Sequence, residues 1–123
     1  MDGYNLKRSC WLEISLDNVR DNFFAFKKMV GPDVKVMPAV KANAYGHGIV
    51  PCGKELEACG ADYLGMGSIS EAIKLRENGV KMPLLVFASN TIEEVAELYI
   101  QYHLIPTILS EREAKAISDA ASS

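Results

Sequence analysis

The chain has 123 residues, 49% of them hydrophobic, with a formal net charge of −3 and a pI near 5.4. That length and apolar content suffice for one domain with a real core, while the mildly acidic, mixed charge argues against a nucleic-acid or anionic-membrane partner. No apolar run is long enough to cross a bilayer and the start MDGYNLKRSCW lacks the apolar centre of a secretory signal, so a cytoplasmic protein is expected.

Residues 11–15 alternate weakly, Leu12 and Ile14 against Trp11, Glu13 and Ser15, which predicts a short strand exposed on one face. No partner for it is evident in the chain. Leu16, Val19, Phe23, Phe26 and Val30 then step by three and four, the stripe of an amphipathic helix that Ser15 or Asp17 can cap and Gly31-Pro32 stops. A stripe of this kind is expected to be core.

Residues 34–41 follow as a nearly continuous apolar run, the pattern of a parallel strand buried on both faces, with Lys41 at its C-terminal end. That end is the rim where α/β folds bind ligands. A lysine there either snorkels its ammonium to water or offers a desolvated amine that attacks a carbonyl and holds a cofactor as a Schiff base. Tyr45, His47, Gly46 and Gly48 come next, the glycines allowing a tight bend.

Beyond this loop Pro51 lies near a helix start, Leu56 and Cys59 continue a stripe, and Gly60 suits the C-terminal cap. A second strand is predicted over residues 63–67, where the glycines imply either close approach of a backbone or ligand, or relief at a crowded position. Ser68 with Glu71 forms a capping box before a helix that runs to Asn78-Gly79. The third strand, residues 84–87, is opened by Pro83, and Thr91 with Glu94 makes a second capping box before a helix carrying Ile92, Val95, Leu98, Tyr99 and Tyr102. Residues 104–109 form the fourth strand, in which Pro106 signals a bulge or an exposed edge, and Ser110 with Glu113 is a third capping box.

Four strands starting near residues 34, 61, 83 and 104, each followed by a helix, predict an α/β fold with a parallel sheet. Periodicity leaves two architectures open, a doubly wound flavodoxin-type sheet or half of an eight-stranded barrel, and no G-x-G-x-x-G fingerprint marks a dinucleotide fold. Cys10, Cys52 and Cys59 show no metal-ligand spacing; Cys52 and Cys59, seven apart, read as small buried hydrophobes and no metal is expected.

The decamer at residues 39–48, AVKANAYGHG, resembles the pyridoxal-phosphate attachment motif of alanine racemase, a fold-type III enzyme family, and WLEISLD at residues 11–17 resembles that family's N-terminal strand and helix start. The resemblance extends to about Ala121 and covers the N-terminal third of the family enzyme. It implies the N-terminal half of a (β/α)8 TIM barrel. Residues 1–15 would be a strand segment belonging to a β-domain, residues 16–123 a partial cofactor-binding barrel, and the second half-barrel and β-domain would lie outside this chain.

By the same resemblance Lys41 binds pyridoxal 5'-phosphate and then serves as one of two catalytic bases, and Tyr45 reaches the cofactor phosphate. His47, Gly46 and Gly48 match motif positions without assigned chemistry. The second base would be a tyrosine from the C-terminal domain of a partner subunit, and no stretch around Tyr4, Tyr63, Tyr99 or Tyr102 resembles it. The arginine set against the pyridine nitrogen is also expected elsewhere, not among Arg8, Arg20, Arg76 and Arg112.

The implied activity is interconversion of L- and D-alanine, supplying D-alanine for peptidoglycan, by a homodimer of the full-length protein. A racemase of serine or lysine on the same fold, or a pyridoxal-phosphate carrier protein without turnover, are the alternatives; the Tyr-Gly-His-Gly continuation favours a racemase. The 123 residues alone are expected to be inactive. With two open sheet edges they are also expected to be unstable or to self-associate.

Overall fold

A computed structural model describes residues 10–87 and 92–123. Helices alternate with short strands: α1 (Leu16–Val30), the single turn α2 (Lys41–Tyr45), α3 (Ile49–Ala58), β1 (Leu64–Met66), α4 (Ile69–Glu77), β2 (Leu84–Val86), α5 (Ile92–Gln101), β3 (Ile105–Pro106) and α6 (Glu111–Ser122). The strands are parallel and lie in the order β1-β2-β3, with Leu64 opposite Leu84 and Leu85 opposite Ile105. This sequential order lacks the reversal that a flavodoxin-type sheet requires.

One face of the sheet carries the core. Leu64, Met66, Leu84 and Val86 have no exposed surface and pack with Val40, Ile49, Leu75, Ile92 and Tyr99. On the opposite face, Leu85 and Phe87 are only half-buried and Ala39 is exposed. Strand pleating sends alternate side chains to opposite faces, so helices cover one set while the other remains partly open.

The first predicted strand differs from expectation. Residues 34–40 run beside β1 but join it through a single parallel bridge, Ala39 to Gly65. Val40 N–H donates to Gly65 O at 2.7 Å, Gly65 N–H to Pro38 O at 3.0 Å and Asp62 N–H to Val36 O at 3.1 Å. Pro38 has no N–H to give, and among the described residues this segment has one strand neighbour, β1, so the run expected to be buried on both faces is an edge. Val34 and Met37 are exposed, and of the apolar run only Val40 is fully buried.

Two further expectations change for the same reason. Residues 11–15 form no strand, and Trp11 and Leu12 are each 73% exposed, because no other described segment pairs with them. Ser15 serves instead as the N-cap of α1, accepting from Asn18 N–H at 3.2 Å. Of the α1 stripe only Phe23 is buried, while Phe26 is 60% exposed. Phe23, Phe26 and Val30 face a cavity of about 550 Å³ between α1, residues 34–40 and α3.

The remaining strands are shorter than predicted, and Pro106 sits in β3 at the other edge of the three-stranded sheet. The capping boxes divide. Ser110 and Glu113 form a complete one; Ser68 caps α4 through Glu71 N–H at 3.3 Å, but the Glu71 carboxylate goes elsewhere; the pair involving Thr91 lies outside the described residues. Cys52 is buried, Cys59 half-buried and Cys10 exposed, all as free thiols.

At the N-terminal ends of the strands Arg76 fastens the loops. It donates to the carbonyls of Val80 and Met82, both at 2.8 Å, and to those of Tyr102 at 2.9 Å and His103 at 3.0 Å. Burial lowers its pKa, and Glu57 opposes that shift. Glu57 in turn accepts from Lys81 N–H at 2.7 Å and Met82 N–H at 2.6 Å. Arg76 thus belongs to the end of the sheet opposite Lys41.

Gly65 is required by packing. A Cβ placed there would lie 2.1 Å from Phe87 Cζ, so the ring occupies the space a side chain would need. Gly65→Ala is expected to destabilise the chain by about 1–3 kcal/mol, and Gly65→Ala combined with Phe87→Ala to cost less than the sum of the two single changes, as read from urea unfolding. The half-open sheet predicts a weight-average mass that rises with concentration in sedimentation velocity; a strict monomer with a sharp two-state thermal transition would contradict it.

Candidate functional site

The site begins where the edge segment ends. Val40 is 2% exposed and anchors the backbone in the core, whereas Lys41, the next residue, is exposed. Its ammonium makes no hydrogen bond or ion pair among the described residues. Lys41 Cβ lies 3.4 Å from where a Cβ on Gly67 would be, so the glycine just past β1 lets the lysine stem lie close against the rim.

The α2 turn is left-handed. Ala42, Asn43, Ala44 and Tyr45 have φ values of 51°, 56°, 54° and 55°, followed by Gly46 at 88°. For L-residues this hand costs roughly 1–2 kcal/mol each. Four in succession require strong support from their surroundings.

Part of that support comes from the loop itself. Gly46 N–H donates to Ala42 O at 3.1 Å, His47 N–H to Ala44 O and Gly48 N–H to Asn43 O, both at 3.0 Å. His47 Nδ1 lies 2.7 Å from Ala44 O, the geometry of a ring N–H donating to a carbonyl. The Asn43 side-chain oxygen accepts from Ile49 N–H at 3.0 Å and thereby satisfies the first turn of α3. His47 is therefore a brace for backbone groups, in keeping with its having no assigned chemistry.

A second brace comes from across the sheet. The Glu71 carboxylate accepts from Asn43 N–H at 3.0 Å and from Gly67 N–H at 3.2 Å, tying the turn after Lys41 to the loop after β1. Sequence reasoning gave Glu71 only a capping role. Its spacing from Ser68 is the signal for a cap, and nothing local announces a bond to a residue 28 positions away.

Tyr45 is 58% exposed and, with His47 and Ala44, lines the cavity beside α1. Lys41 does not line it. The structure thus places the two expected site residues at opposite ends of one turn without bringing both into one cavity. Arg20 pairs with Asp17 and with Glu55 at 3.0 Å, and Arg112 with Glu93 at 2.8 Å, so neither is available at the Lys41 rim. Among the described residues there is no cluster of three or more potential metal-ligating side chains, and no helix long and apolar enough to cross a membrane.

Residues 14–123 match the family model described as alanine racemase, N-terminal domain. An alanine racemase of Desulfovibrio desulfuricans is 38% identical over 115 residues, which are 94% of this chain and 31% of the relative. The solved alanine racemase of Clostridium difficile 630 superposes with a TM-score of 0.89 at 35% identity, covering 95% of this chain and 30% of that one. The alanine racemase from Bacillus anthracis with bound L-Ala-P superposes at 0.83 with 27% identity, covering 92% of this chain and 29% of that one. The chain therefore spans a little under a third of the length of the relatives it matches.

The left-handed turn predicts an inversion of the usual glycine penalty. Ala42→Gly should leave stability unchanged or raise it by about 0.5–1 kcal/mol, because glycine bears no steric cost at positive φ. Ala114→Gly, in the ordinary right-handed helix α6, should lower it by about 0.5–1 kcal/mol. Urea midpoints of the two variants against the parent read the contrast directly.

Proposed function

This chain belongs to the family of the alanine racemase N-terminal domain, and from that premise we propose that it is the cofactor-lysine portion of a pyridoxal-phosphate-dependent enzyme that interconverts L- and D-alanine. The observation that carries the reading is Lys41: an exposed amine with no hydrogen-bond or ion-pair partner among the described residues, on a braced turn at the C-terminal rim of a parallel sheet. In this reading residues 16–123 are the first half of a (β/α)8 barrel and residues 1–15 lead to a β-domain. The remainder belongs to a longer, cytoplasmic, homodimeric protein that supplies D-alanine for peptidoglycan.

The residues present fit the cofactor at its carbonyl end. Lys41 can form a covalent bond there because no salt bridge within the described residues has to be broken first, and Gly67 leaves the adjoining rim without a side chain. Tyr45, exposed at the end of the same turn, offers a hydroxyl donor to the phosphate. Bound pyridoxal phosphate supplies an electron-withdrawing ring that makes the α-proton of an amino acid acidic enough to remove at neutral pH.

Lys41 would hold the cofactor and, as a free amine, its Nζ would take the α-proton from one face of the substrate or return it. Racemisation needs a second group on the other face. Tyr63 precedes β1, at the end of the sheet opposite Lys41, and Tyr99 is buried in the core, so neither is placed for that role. The second base is assigned to the longer protein.

Incubating the chain with pyridoxal phosphate, reducing with borohydride and mapping the modified peptide should locate the adduct on Lys41. Lys41→Ala should abolish it, and Tyr45→Phe should raise the cofactor concentration for half-saturation by about tenfold, the value of one hydrogen bond to a charged group. An adduct that survives Lys41→Ala would overturn the assignment. The 123 residues should show no alanine racemisation, whereas a chain extended through the second base should racemise alanine in a Lys41-dependent way.

A further inference from the structure

The left-handed turn that follows Lys41 contains a backbone donor that the turn itself does not satisfy. Ala44 N–H reaches back to Val40 O at 2.8 Å, and Gly46, His47 and Gly48 donate within the loop, but Asn43 N–H is directed at the Glu71 carboxylate. The other Glu71 oxygen holds Gly67 N–H, at the glycine against which Lys41 Cβ rests. A single carboxylate thus joins the strained backbone two residues after the lysine to the rim beside its stem.

From this juxtaposition we propose that Glu71 is a positioning residue: its carboxylate locks the left-handed turn and so fixes where Lys41 presents its amine. The proposal rests on the reading of Lys41 as the cofactor lysine and extends it to a residue that touches neither cofactor nor substrate. A carboxylate suits the task because both of its oxygens only accept, so it can hold two N–H donors on two separate loops at once. Glutamine can offer one carbonyl oxygen, and its amide would face the second N–H donor to donor. Alanine offers nothing.

The helix that carries Glu71 gives a matched control. Ser68 caps the same helix through Glu71 N–H without touching the turn, so Ser68→Ala weakens α4 and leaves the carboxylate in place. Any effect of Glu71 that merely reflects a less stable α4 should appear in Ser68→Ala as well.

The test compares wild type, Glu71→Ala, Glu71→Gln and Ser68→Ala on the full 123-residue chain, without cofactor and with pyridoxal phosphate. Without cofactor, hydrogen exchange at the Asn43 amide should accelerate about tenfold in Glu71→Ala, the loss expected for one charge-assisted hydrogen bond. Glu71→Gln should show a smaller increase and Ser68→Ala no local change. With cofactor, the pyridoxal phosphate concentration that half-saturates the borohydride-trapped Lys41 adduct should rise several-fold in Glu71→Ala and not in Ser68→Ala.

Equal Asn43 exchange in wild type and the two Glu71 variants would overturn the proposal, as would faster exchange with unaltered adduct formation. Ser68→Ala reproducing the Glu71→Ala behaviour would overturn it too, by reducing the effect to helix stability. If wild type forms no adduct on Lys41, the cofactor reading fails by itself, and the exchange comparison still decides whether Glu71 locks the turn.

Discussion

The site depends on a backbone conformation that its own residues disfavour. Ala42, Ala44 and Tyr45 bear side chains that crowd the carbonyl in a left-handed turn, yet the turn begins directly after Lys41 and decides the direction in which the chain leaves the sheet. It can persist only because it is fixed at both ends. Val40 is locked into the core, Gly46 and Gly48 take the positive φ values freely, and Asn43 gives its side chain to α3 and its N–H to Glu71. The turn itself thus costs stability locally, and the surrounding hydrogen bonds offset that cost.

The sheet makes that arrangement possible and leaves it incomplete. Its helix-facing side chains are fully buried, which gives β1 a rigid C-terminal rim, while the opposite face exposes Ala39 and leaves Leu85 and Phe87 half-covered. Residues 34–40 bond to β1 on one side only, and the cavity beside α1 lies next to their other side. The two ends of the sheet also have different tasks. Arg76 and Glu57 bind backbone groups at the N-terminal ends with charged hydrogen bonds, whereas at the C-terminal end Glu71 performs the same kind of bonding and leaves Lys41 free of it.

Local features were legible in the sequence where local chemistry decides them. The period of α1, the Ser15 cap and the complete box at Ser110 and Glu113 all follow from residues within one or two turns of each other. What depended on distant neighbours was not legible. The apolar run at residues 34–40 looks like a doubly buried strand because sequence records the affinity of Val34 and Met37 for a core, not whether the described chain supplies one. The handedness of residues 42–45 was hidden for a sharper reason: propensity favours the right-handed form, and the bonds that support the left-handed one include some from the distant Glu71 as well as from the loop and Ile49. Gly65 stood between two readings until the Phe87 ring was seen in its place.

Under the proposed reading, one amine at one rim also sets the limit of what these residues can do. A base that removes a proton from one face of a planar carbanion and returns it to the same face restores the configuration it started from. Inversion requires a donor on the other face; Tyr63 precedes β1 at the opposite end of the sheet, and Arg20 is paired with Asp17 and Glu55, Arg76 with four carbonyls and His47 with the Ala44 carbonyl. The open side of the sheet is where such a donor would have to arrive, since the helices occupy the other. In the proposed reading, a half-covered sheet face and a lysine with no partner among the described residues belong together: the chain would hold a single reactive group and leave the opposing group to be brought to it.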